Sequence, residues 1–442
     1  MPLQGLTTNP PRKHSLRSSR RTLIVNRPTR SLALTLLLAS FTISNAFGNG
    51  WADQYVDLRE EGYLFQGSIT QAFQGVVGGG SDEVADNLKY GGHGDYSLLL
   101  DGERLGCQEG SFIRMRAEHR FGSATDPANT GSPFPTALPV NLPAGEDSLY
   151  LTNLVFGQAL SENFAVFMGK FDTLDGDRND FAHGRGVTQF SNLALAVNPI
   201  GIVAVPYASL GAGFVVLQDF EPVFVFSVMN ATDTTRTTGF DELFENGAVI
   251  STGLRLPTNF AGKLGHQSFT AIYSTRNYDV LESDPRVNAE IVGGGVRLTD
   301  PKEGTYALLY NFDQYLVQDR AGHGWGVFGR AGLGDQEVNP LEYFLSVGIG
   351  GNNMLVKGRR HDTFGVGYYY LGATDDSQLL ADIESTVGFD LEDGQGVECY
   401  YNAAIGDFTS LTIDYQFIDS PADVSVFENG TSILGLRWNI WL

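Results

Sequence analysis

Long hydrophobic runs are scarce in this sequence. The apolar stretch SLALTLLLASF (31–41) is too short to cross a bilayer, and no later segment approaches the ~18–20 consecutive apolar residues that a spanning helix needs. Cysteine is nearly absent. Cys107 and Cys399 lie near opposite ends of the chain, which makes no disulfide framework, and no metal-ligand spacing surrounds either one. Basic residues are few, 29 against 51 acidic ones. Seven of the basic ones (Arg12, Lys13, Arg17, Arg20, Arg21, Arg27 and Arg30) fall in the first 46 residues, which hold no acid. Without them the balance is 29 − 7 = 22 against 51, a net charge of 22 − 51 = −29. A chain of that sign repels phosphate, so nucleic acid is not an expected partner.

Catalytic signatures are missing too. No G-x-S-x-G nucleophile motif occurs, and GGG (78–80) lacks the Lys-Ser/Thr of a phosphate loop. DTLDGDRND (172–180) holds four aspartates, but their spacing does not fit a standard calcium loop. The expectation is a protein that is not an enzyme, with no metal and no cofactor.

What is present begins with an address. The basic N-terminal segment, the apolar run 31–41 and the small residues Ser44-Asn45-Ala46 read as an export signal cut after Ala46. The chain then divides into a signal peptide (1–46), a short periplasmic segment (47–61) and one large domain (62–442).

That domain alternates. In SLTIDYQF (410–417), Leu411, Ile413, Tyr415 and Phe417 oppose Ser410, Thr412, Asp414 and Gln416. In FIRMRAEHRF (112–121), Arg114, Arg116, Glu118 and Arg120 share one face. A soluble core does not absorb four successive charges, each costing several kcal/mol. A period of two means strands with one apolar and one polar face. Sixteen such segments occur, at 62–75, 88–100, 110–121, 148–159, 163–172, 207–219, 222–231, 248–257, 266–277, 305–316, 323–333, 341–352, 363–372, 394–403, 409–418 and 431–442. Most are longer than the ~5–6 residues of ordinary soluble strands and suit the ~9–11 of a tilted membrane strand. Segment 289–299 alternates weakly and is assigned to a loop.

Connections mostly alternate in length. Long ones (122–147, 173–206, 232–247, 278–304, 373–393, 419–430) take turns with shorter ones (160–162, 220–221, 258–265, 317–322, 353–362, 404–408). Residues 334–340 are short where a long connection is expected. Short turns on one rim and long loops on the other predict an all-β, transmembrane antiparallel β-barrel of sixteen strands, with long extracellular loops and short periplasmic turns. Lipid satisfies no backbone polar groups, so the sheet must close. The last strand, TSILGLRWNIWL (431–442), then pairs with the first near 62–73, its row Leu434, Leu436, Trp438, Ile440 and Leu442 facing acyl chains.

YALLYNFDQYL (306–316), GVFGRAGLG (326–334), NPLEYFLSVGIGG (339–351), HDTFGVGYYYLG (361–372), GVECYYNAAI (396–405) and SILGLRWNIWL (432–442) resemble the carbohydrate-selective porins of the OprB type. EEGYLFQGSITQAFQGVVGGG (60–80), VFMGKFDT (166–173) and FSNLALAVNP (190–199) are similar to them as well. The sequence departs from the usual pattern at its end, since outer-membrane barrels more often finish in an aromatic than in Leu442. The resemblance implies a sixteen-stranded outer-membrane porin that passes small sugars down their gradient, with outer-membrane lipid as its surroundings. A homotrimer is left open. So are a general or ion-preferring porin, a barrel hydrolase and a soluble all-β binding protein. The hydrolase needs a Ser/His pair, and His119 and His266 have no obvious serine partners.

Sixteen strands enclose an aqueous channel, and a long inward loop is the usual constriction. The expected one is 173–206, with Asp175, Asp177, Arg178, Asp180, Phe181, His183 and Arg185. Charges of both signs hydrogen-bond hydroxyls, and a ring packs on the C–H face of a sugar. Lumen-wall candidates on the polar faces are Arg114, Arg116, Glu118, Arg255, Asp313, Arg330, Glu398, Asp414 and Arg437. Gly324, Gly326, Gly348, Gly350, Gly365 and Gly367 share that face, leaving clearance for an inward loop or marking curvature.

Overall fold

The computed structural model describes residues 58–80, 88–123, 130–143, 148–219, 221–281, 290–292, 295–297, 301–374, 393–421 and 430–441. The expected signal peptide and most of the segment 47–61 lie outside them. The strands are β1 (Tyr63–Gly79), β2 (Lys89–Asp101), β3 (Ser111–Gly122), β4 (Tyr150–Ser161), β5 (Phe164–Asp172), β6 (Ala208–Gln218), β7 (Glu221–Asn230), β8 (Ala248–Phe260), β9 (Lys263–Asp279), β10 (Glu290–Val292), β11 (Gly295–Arg297), β12 (Pro301–Gln318), β13 (Gly324–Gly334), β14 (Leu341–Asn352), β15 (Thr363–Ala373), β16 (Gly394–Ala404), β17 (Thr409–Asp419) and β18 (Thr431–Trp441). All but β10 and β11 form one closed antiparallel barrel, each strand paired with its chain neighbours and β1 with β18. The seam pairs Ile69 with Ile440 and Phe73 with Leu436. Each of the sixteen expected segments coincides with a barrel strand. Residues 289–299 stay out of the barrel, although β10 and β11 form a small hairpin of their own there.

The barrel is apolar outside and polar inside. On β18, Leu434, Leu436 and Trp438 are 44%, 39% and 44% exposed, while Arg437 and Asn439 between them are at most 1% exposed. On β17, Leu411, Ile413, Tyr415 and Phe417 face outward, and Thr412, Asp414 and Gln416 are buried inside. A hydrocarbon solvent outside accounts for this inversion of the soluble pattern. Among the described residues no helix is long and apolar enough to cross a membrane.

Two turns are tighter than the sequence suggests. β8 and β9 run on to a two-residue connection, Ala261-Gly262, with φ of 52° and 76°. Positive φ at both positions is the mirror-image turn that matches the twist of two antiparallel strands. β12 likewise extends to Gln318, which shortens the next turn to 319–323. Cys107 and Cys399 are both free thiols.

Residues 173–207, between β5 and β6, form an inner loop that folds into the barrel. It contains tight turns at Leu174–Gly176 and Gly184–Gly186, a short helix α1 (Leu193–Ala196) and a 3-10 turn Pro199–Val203. Asn192 and Asn198 explain the last two starts. Each accepts a hydrogen bond from the backbone N–H two residues on, and Pro199 occupies the first turn position. The loop touches β3 on one side and β13, β15, β16 and β18 across the barrel, so it lies in the lumen.

Candidate functional site: the inner loop and the passage beside it

Two kinds of contact hold the inner loop. The first is apolar. Phe181, Ala182, Phe190, Ala194, Leu195 and Ile200 of the loop pack against Phe328, Phe344, Tyr369, Leu371 and Tyr400 of the wall. Phe190 lies edge-on to Tyr400 with centroids 4.9 Å apart, and Phe181 to Tyr315 at 4.7 Å. Wall glycines make room. A Cβ at Gly367 would come within 2.8 Å of Leu195, one at Gly365 within 2.7 Å of Phe190, and one at Gly326 within 2.8 Å of Phe181. Clearance for an inward loop is thus the role of these three glycines.

The second kind is ionic. Arg330 donates to Asp177 at 2.9 Å and to the carbonyls of Leu195 at 2.9 Å and Ala196 at 3.1 Å. Glu398 accepts from the backbone N–H groups of Ser191 at 2.6 Å and Asn192 at 2.9 Å. Arg437 donates to the carbonyl of Gly186 and lies 3.5 Å from Asp414. On the opposite wall, Arg185 of the loop pairs with Asp172, with Glu118 at 3.1 Å and with Asp175 at 3.0 Å. Arg116 joins them, 3.3 Å from Asp175 and 3.4 Å from Asp172, and also pairs with Asp95. Burial alone would raise the Asp175 carboxyl; Arg185, Arg116 and Arg114 outweigh it and hold that group well below the ordinary carboxylate range. The aspartates of DTLDGDRND are thus bound to guanidinium groups.

Arg185 has φ of 55°, between Gly184 and Gly186, which are also left-handed. That conformation costs a non-glycine residue ~1–2 kcal/mol, and the three carboxylates around its guanidinium hold it there. His183 is half-buried, and the loss of hydration pushes its pKa down to about 4. It is a neutral ring at physiological pH.

Beside the loop lies a cavity of about 380 Å3. Its polar edge carries Arg114, Asp175, Asp177 and Arg178, with Arg255 at the far end. Arg114 reaches Asp175 at 3.2 Å. Arg255 donates to the carbonyl of Arg178 at 3.0 Å and lies 3.4 Å from Asp180 and 3.5 Å from Asp313. Of the nine wall candidates, only Arg114 and Arg255 border this space. Arg116, Glu118, Asp313, Arg330, Glu398, Asp414 and Arg437 are buried.

One expected role fails. Phe181 is 1% exposed, wedged between Tyr315 and the glycine floor, so its ring offers no face to a sugar. Among the seven loop candidates, Asp175, Asp177 and Arg178 line the cavity, whereas Arg185 is a buried fastener. Sequence reasoning passed over Asp95, Asp172 and Tyr207, which complete the cluster on Arg116 and Arg185. Asp95 sits across the β2–β3 pairing from Glu118, so its place in the arginine-rich face of β3 follows once strand register is known. His266, weighed for catalysis, pairs through Nδ1 with the Asp313 carboxylate at 2.7 Å inside the lumen.

The sequence model of the carbohydrate-selective porin, OprB family, matches residues 85–442. No curated protein sequence matches the chain. Among solved structures, it is similar to the high-pH structure of Pseudomonas putida OprB, with a TM-score of 0.74 at 18% identity over 90% of this chain and 99% of that one. The low-pH structure of Pseudomonas putida OprB is similar at a TM-score of 0.53 and 13% identity, over 90% of this chain and 98% of that one. At these identities the likeness establishes the barrel fold.

Proposed function

The chain belongs to the carbohydrate-selective porin (OprB) family of the outer membrane, and from that premise we propose that small neutral sugars cross through the cavity beside the inner loop, touching Arg114, Asp175, Arg178 and Arg255. One observation carries this reading. The loop is packed against β7–β9 and β12–β16 and fastened at β3, β13, β16 and β18, and the cavity left beside it is lined chiefly by β4–β9. Three of the four are guanidinium groups and one is a carboxylate; Arg114 is paired with Asp175, and Arg255 lies against Asp180 and Asp313, so the edge offers donors and acceptors to hydroxyls while much of its charge is paired. Shallow sites of this kind let a solute enter and leave again, so flux follows the gradient and needs no chemistry.

Liposome swelling with sugars of rising size, set beside reversal potentials in salt gradients, tests the proposal. Sugar permeation with little ion preference supports it. A steep ion preference with no dependence on the sugar points to a general or ion-preferring channel. Replacing Arg114 and Arg255 together with Ala should blunt discrimination among sugars while the barrel still inserts. Cleavage after Ala46 is read directly by N-terminal sequencing of the exported protein. The outward apolar rows meet lipid, and assembly into a homotrimer is decided by mass measurement in detergent.

A further inference from the structure

The inner face of the barrel departs from the usual rule along β4–β7. A porin lumen is ordinarily polar. Here Val155, Ala165, Phe167, Val215, Leu217 and Val225 line the cavity. Their neighbours in strand order confirm the direction: Asn153, Ser227 and Met229 on the same faces are buried inside, while Phe156 and Met168 are exposed to the outside. Across the space the inner loop contributes Leu174, Ile202 and Val205. Ile202 is 41% exposed, so this loop surface is left bare where the loop's other face is fully packed. Val155, Ala165 and Leu217 are nearly covered, but Phe167, Val215 and Val225 are half-buried and keep apolar surface toward the cavity, where it gains nothing by packing. They favour whatever hydrocarbon enters.

The same cavity also carries charge: Arg114 stands beside Val155 in the β3–β4 register, Arg255 lies on β8, and the loop adds Asp175 and Arg178. A solute in transit therefore meets hydrocarbon and hydrogen-bonding groups side by side. A simple sugar uses only one of the two surfaces. A volume of about 380 Å3 falls within the ~300–1,000 Å3 of small-molecule sites. Building on the sugar-channel reading above, we propose that the preferred solutes are glycosides with a compact apolar aglycone, an aryl or short alkyl group. The hydroxylated ring meets the charged groups while the aglycone slides along Val215 and Val225 of the wall and Ile202 of the loop.

The test is current block in a planar bilayer by phenyl β-glucoside, glucose and cellobiose, the last matching the first in ring count without an apolar ring. Phenyl β-glucoside should half-block at a concentration roughly tenfold below that of cellobiose, the ratio expected when on the order of 60 Å2 of apolar surface leaves water. Val215→Ser and Val225→Ser should each narrow that gap, and the double variant should close most of it, while the glucose and cellobiose values stay together. Should either variant fail to insert, the unaltered protein with methyl, ethyl and butyl β-glucosides gives a second reading, in which block strengthens with each added carbon. If cellobiose and phenyl β-glucoside block equally and the alkyl series is flat, the inference is overturned and the sugar channel stands. If no sugar changes the current, the sugar-channel reading falls and this inference falls with it.

Discussion

Strands β13, β16 and β18 present Arg330, Glu398 and Arg437 to the inner loop, whereas β6 and β7 present the half-buried Val215 and Val225 to the cavity. The first set is buried and each member is hydrogen-bonded to the loop backbone. The second meets the solute path. Charge on a porin wall therefore has two different uses here. Most of it fastens a loop, and only the part at the edge of the fastened loop, Arg114, Arg255 and the end of β5 at Asp172, borders the passage. Where the wall gives up charge, below Lys170 and Asp172, the loop stands off.

The sharpest way to break this contrast is Arg330→Ala. It takes the guanidinium from Asp177 and frees the carbonyls of Ala182, Leu195 and Ala196, and losing one partner of a buried ion pair costs ~3–5 kcal/mol. Denaturant unfolding in detergent should show that loss, and single-channel records should show a larger, noisier conductance as the loop loosens. Gly367→Leu comes next. It forces a side chain into the space held by Leu195, and overpacking of this kind costs ~1–3 kcal/mol. The same unfolding measurement checks it, and the matched change Val225→Leu on the open side should be much milder.

The pH response is smaller and has a definite sign. His183 is neutral in the folded loop down to about pH 4, but in the unfolded chain it takes up a proton near its ordinary value of ~6.5. The unfolded state thus binds more protons between those two values, and stability falls as pH drops through that window. His183→Gln should flatten this slope when unfolding is compared at neutral pH and at pH ~4.5. Last, Val215→Ser should leave stability within ~0.5 kcal/mol, because its side chain faces the passage; a large loss would mean that the aliphatic wall is a packed core after all.

The barrel was legible in the sequence because lipid outside and water inside impose a strict period of two, and one slipped residue would reverse every side chain. The seam near Ile69 and Phe73 and the inward loop at 173–207 followed from strand order and loop length. The passage did not follow. FAVFMGKFD on β5 and PVFVFSVM on β7 are apolar on both faces, so alternation marks neither side as the lumen. The wall candidates clustered on β3, β8, β12, β13, β16, β17 and β18, and the gap from β4 to β7 was itself the signal. Phe181 was misjudged for a related reason. Composition places an aromatic among charges, but only the three-dimensional path shows Gly326 and Gly350 beneath it.

The loop's fastenings reach far along the chain. Ser191 to Glu398 spans 207 positions and Gly186 to Arg437 spans 251. These partners lie on β16 and on β18, the strand that closes the seam with β1. Docking of the loop and closure of the sheet are therefore linked equilibria: whatever opens the seam loosens the loop, and a fastened loop braces the seam in return.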